Sequence, residues 1–92
     1  MASILSFLPK KMTSINKKDF MNMSVEEILK LLPLHVSNDI DSSEYNLSIF
    51  RDSDGSFIST YEDFDSGNIL YQTIDNDLKE SLYKMYIYFT DN

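Results

Sequence analysis

Few residues in this chain are able to do chemistry. His35 is the only histidine and there is no cysteine. A nucleophilic triad needs a base held beside a serine or thiol, and no serine is paired with His35 by its spacing. Carboxylates are plentiful. Asp52 with Asp54, and Glu62 with Asp63 and Asp65, form two groups. Paired carboxylates divide acid and base roles when their surroundings push their pKa values apart. Both groups fall in turn-forming sequence, where Asp serves backbone geometry, and nothing nearby builds a dry pocket. Asp52-Ser53-Asp54-Gly55 opens like a calcium loop, but its glycine is fourth rather than sixth, and strand patterns replace the flanking helices. Transition-metal ligand sets and glycine-rich phosphate loops are missing. The expectation is no enzyme, no metal and no cofactor.

Charge points instead to binding. The net charge is −7 over 92 residues. Residues 1–36 carry five lysines against three acids, a balance of +2, while residues 37–92 carry Arg51, Lys79 and Lys84 against twelve acids, a balance of −9. Such a field repels nucleic acid and membrane surfaces and attracts basic partners. No apolar run approaches the length of a membrane span. The apolar run Ile4–Leu8 is followed rather than preceded by Lys10 and Lys11, unlike a secretory signal. Absence of cysteine suits a reducing compartment, and the expected location is cytoplasmic.

The elements that must position these acids are legible from periodicity. Ser24 followed by Glu27 makes a capping box, and Val25, Ile28, Leu29 and Leu32 share one helical face until Pro33 stops it. Residues 34–44 read as a polar connection. Tyr45–Arg51, Ser56–Tyr61 and Ile69–Ile74 alternate as strands joined by the turns Asp52–Gly55 and Asp63–Asn68. A last helix from about Asp77 to Phe89 carries the stripe Leu78, Leu82, Met85 and Phe89. Tyr83, Tyr86, Ile87 and Tyr88 spread further apolar surface around that helix, and they are candidates for partner binding or self-association. The reading is a small α+β fold of order α-β-β-β-α: an N-terminal helix, a three-stranded antiparallel meander and a C-terminal helix packed on the sheet. Residues 1–22 read as a basic arm or extension, and 23–92 as a single domain.

That element order is shared with double-stranded-RNA-binding domains, which need lysines where the last helix begins. Asp75, Asn76, Asp77, Lys79 and Glu80 stand there instead, so no direct nucleic-acid binding is expected. Asp54-Gly55, then Tyr61-Glu62-Asp63-Phe64-Asp65-Ser66-Gly67, then the helix opening at Asp77 carry a different likeness. Over Tyr45 to Phe89 the chain resembles the compact module of HicB-type antitoxins, a partial RNase H-like fold. In that family an Asp-Gly turn follows strand one, and an aromatic-Pro-Asp-Leu-Pro-Gly stretch ends strand two. Here both prolines are missing and one residue is extra. The resemblance implies a non-enzymatic module that masks a basic RNA-cleaving toxin.

The resulting expectation is an acidic protein-binding inhibitor of the antitoxin or immunity kind. Asp52, Asp54, Glu62, Asp63 and Asp65 would form one acidic hairpin side that steers toward a basic toxin or nuclease. Two alternatives keep the same fold. One is a phage-type counter-defence protein that mimics nucleic acid in a nuclease groove. The other is a structural homodimer whose acids serve solubility.

Overall fold

The computed structural model describes residues 15–38 and 43–91. In chain order the elements are α1 (Lys17–Met21), α2 (Val25–Leu31), β1 (His35–Asn38), β2 (Ser43–Arg51), β3 (Phe57–Glu62), β4 (Ile69–Asp75) and α3 (Leu78–Thr90). The four strands form one antiparallel sheet in the order β1-β2-β3-β4. The α+β reading holds, with two corrections. The sheet has four strands rather than three, and a further short helix precedes the capped one.

The extra strand comes from the stretch read as a polar connection. Val36 is fully buried and pairs with Tyr45, so one apolar residue among polar neighbours is enough to seat β1 against β2. The link before it is tied to the sheet, because the hydroxyl of Tyr61 donates to the carbonyl of Pro33 at 2.6 Å. Tyr61 is itself fully buried, and burial pushes its phenol well above the ordinary value.

The extra helix lies in the stretch read as a basic arm. Asn16 caps it by accepting the N–H of Asp19, and Phe20 is fully buried against Tyr83 and Tyr86 of α3. Lys79 donates to the carbonyl of Met21, Lys17 pairs with Glu80, and the N–H of Ile15 donates to Tyr86 Oη. These contacts pack residues 15–22 onto the acidic module. Residues 1–14 lie outside the described residues.

Helix α2 begins as its capping box dictates: Ser24 Oγ accepts from Glu27, and Glu27 returns a bond to the Ser24 N–H. Helix α3 is capped by Asp77, whose carboxylate accepts the N–H of Glu80. It packs across β3 and β4. Leu82, Met85, Tyr86 and Phe89 point inward with Ile28, Leu32, Val36, Tyr45 and Tyr61. Between helix and sheet lies a small buried hydroxyl chain that sequence reading missed. Thr73 Oγ1 donates to the Ser81 carbonyl at 2.9 Å, so at their 2.8 Å contact Ser81 must donate to Thr73. Ser59 must then donate to Ser81, also at 2.8 Å. Every proton in the chain has a defined acceptor.

Candidate partner-binding site

A meander places successive turns at opposite ends of its strands. The two acidic groups are therefore separated by the length of β3, roughly 20 Å at about 3.3 Å per residue. The single acidic hairpin side expected from sequence does not exist. Asp52 and Asp54 sit at the β2–β3 turn, while Glu62, Asp63 and Asp65 sit at the β3–β4 turn.

Several of these carboxylates also serve the turns themselves. Asp52 accepts from the N–H of Ser53 and Asp54 from that of Ser56, while Gly55 takes the positive φ of 93° that closes the turn. The Ser56 N–H holds the Asp54 carboxyl below its ordinary value. Asp63 is the most engaged. It is buried, and it accepts backbone N–H bonds from Asp65, Ser66 and Glu44. Burial pushes its carboxyl up, but these bonds and the Ser43 side chain outweigh it, and the net shift is downward. Its carboxylate is an internal staple rather than a free contact group.

The remaining acids at this end are different. Glu44 and Asn46 lie on the face of β2 opposite Tyr45 and Leu47, and Asn46 pairs with Glu62 across β3. The β3–β4 turn folds toward them, so Glu44, Asn46, Asp63, Phe64 and Asp65 line a shallow open depression of about 330 Å³. Phe64 is 62% exposed at its rim. The three cations carried by residues 43–91 are all engaged elsewhere. Lys84 binds Asp75 and the Ile74 carbonyl, Lys79 binds the Met21 carbonyl, and Arg51 lies over the Phe57 ring.

The tyrosine-bearing side of α3 is largely spoken for. Tyr86 is fully buried, so it is core and not a contact surface; it lies one turn from Leu82 on the inward stripe. Tyr83 is half-buried, edge-on to Phe20 and under Lys17. Tyr88 is half-buried and stacks on Tyr71 with ring centroids 4.0 Å apart. Ile87 is also half-buried and packs against the core. The helix carries excess apolar surface because α1 and β4 both cover it.

Among the described residues no group of three or more His, Cys, Asp or Glu side chains is placed to hold a metal ion, and no helix is long and apolar enough to cross a membrane. His35 opens β1 on the exposed side. In comparisons with family models, curated proteins and solved structures, the chain matches none.

Proposed function

We propose that this chain is a non-enzymatic binding protein that masks a basic protein partner, an inhibitor of the antitoxin or immunity kind. One observation carries the reading: Glu44 and Asp65 line one depression with the exposed Phe64, Glu62 lies beside it through its pairing with Asn46, and every cation of residues 43–91 is committed to another site. Acids around an aromatic anchor combine long-range steering with a desolvated contact, and aromatic residues dominate the energetics of many interfaces. The resemblance of Tyr45 to Phe89 to HicB-type modules implies the same class of action. The geometry revises the footprint. Binding centres on Glu44, Glu62, Phe64 and Asp65, with Asp63 holding the turn in place and Asp52 and Asp54 outside the contact.

Affinity capture from the source cells, with and without nuclease treatment, tests this. The expected product is a stoichiometric basic protein retained by the wild type after nuclease and lost with Glu62→Lys/Asp65→Lys. Its identity separates a toxin from a nucleic-acid-processing enzyme. Recovery of nothing but the chain itself, or of a partner indifferent to the charge reversal, overturns the proposal.

A further inference from the structure

All three helices contact one face of the sheet through α3. The other face, carrying Asn46, Ser48 and Phe50 of β2, Ile58, Thr60 and Glu62 of β3, and Gln72 and Ile74 of β4, has no helix over it among the described residues. Residues paired directly across antiparallel strands share a face, so the registers sort these side chains into rows. Phe50, Ile58 and Ile74 form one row, with Phe50 58% and Ile74 53% exposed. Ser48, Thr60 and Gln72 form the next, and Gln72 donates to Thr60 at 3.1 Å within it. His35, Asn46 and Glu62 form the third, beside the Glu44–Phe64–Asp65 depression. Along β3 the apolar row and the acidic row stand four residues apart, about 13 Å at ~3.3 Å per residue.

We infer that the partner lies along the strands of this helix-free face. A basic stretch of the partner meets Glu44, Glu62 and Asp65, and an apolar group about 13 Å away covers Phe50, Ile58 and Ile74. This rests on the basic-partner reading and extends it from the acidic end to the whole face. Charge selects the occupant. Two copies packed through this face set acid against acid in parallel, or acid against an apolar row in antiparallel, and neither arrangement gains from the charge. A segment that is basic at one end and apolar at the other matches both poles.

The test uses the full chain and three synthetic peptides. In one, two leucines are separated from two arginines by about four residues, to match the row spacing. The second has the same composition scrambled, and the third is oligoarginine. Affinities and backbone amide shifts are measured together. The expected result is about tenfold tighter binding of the ordered peptide than of either control, with shifts at Ser48, Ile58, Thr60 and Gln72 as well as Glu62. Phe50→Ser/Ile74→Ser, which alters exposed positions, should remove the tenfold advantage and leave oligoarginine binding unchanged. Equal binding of ordered and scrambled peptides, or shifts confined to Glu44, Glu62 and Asp65, overturns the face-spanning footprint while the basic-partner reading stands. Failure of oligoarginine to perturb those acids overturns the underlying reading. Concentration-dependent shifts on the same face without peptide, with a dimer in sedimentation, assign the face to a second copy and overturn the inference.

Discussion

The carboxylate of Asp63 accepts the backbone N–H of Glu44 at 3.4 Å, across 19 residues of chain. The same side chain accepts from Asp65 and Ser66 within its own turn. It thereby fixes the β3–β4 turn against the start of β2 and sets Phe64 and Asp65 beside Asn46. Asp63→Ala should weaken partner binding about as much as Phe64→Ala, although Asp63 offers no free carboxylate. Backbone amide exchange should rise at Asp65 and Ser66 in Asp63→Ala and remain slow in Phe64→Ala.

Acid should loosen the same turn. The carboxyl of Asp63 is pushed up by burial but held below its ordinary value on balance by backbone bonds. Asp54 is lowered by the Ser56 N–H, Asp75 by the Asp77 N–H and Lys84, and Glu27 by the Ser24 N–H. Each folded value lies below the unfolded one, so the unfolded chain binds protons first. Their stabilisation is complete above about pH 5 and is lost as pH falls through the depressed folded values. Melting temperature measured from pH 6 downward should fall most steeply below about pH 4, and Asp63→Asn should flatten that fall.

The buried hydroxyl chain makes a sharper stability prediction. Ser81→Ala removes the acceptor of Ser59 and the donor to Thr73 at once. A buried polar group left unsatisfied costs about 1–3 kcal/mol, and urea unfolding should show a loss in that range. Ser59→Ala should cost less, because only its own bond disappears. The double variant should lose less than the two losses added together, since the two residues share one bond.

Phe20 decides whether the N-terminal stretch is part of the fold. It is fully buried, edge-on to Tyr83 and tilted against Tyr86. Phe20→Ala should cost about 3–5 kcal/mol, a large share of the roughly 5–15 kcal/mol available to a small domain. Equilibrium unfolding checks this. A change below about 1 kcal/mol would mean that α1 is an accessory to the core.

The sequence was most readable where a pattern repeats. Ser24 with Glu27 expresses a cap that the structure forms, while the alternation of Tyr45, Leu47 and Ile49 and the spacing of Leu82, Met85 and Phe89 express periods that the core contacts then follow. Strand β1 and helix α1 were hidden because each is seated by a single buried side chain, Val36 or Phe20, and one residue has no period. Tyr86 belongs to the core rather than to the surface expected for it, because its spacing of four from Leu82 puts it on the inward stripe, where its hydroxyl accepts the N–H of Ile15. The split of the acids into two poles followed from the meander itself, because consecutive turns must lie at opposite ends. The row Phe50–Ile58–Ile74 needed strand registers, which no spacing within one strand supplies.

Titration calorimetry of the captured basic partner, at low and moderate salt, against Glu62→Lys/Asp65→Lys and Asp52→Lys/Asp54→Lys decides where the partner binds. The first pair, which lies at the Phe64 end, should lose at least about tenfold in affinity and show a shallower salt dependence. The second pair, at the opposite turn, should bind close to the wild type. Equal losses from both pairs, or a loss from the second pair alone, would rule out a site built on the β3–β4 end of the helix-free face.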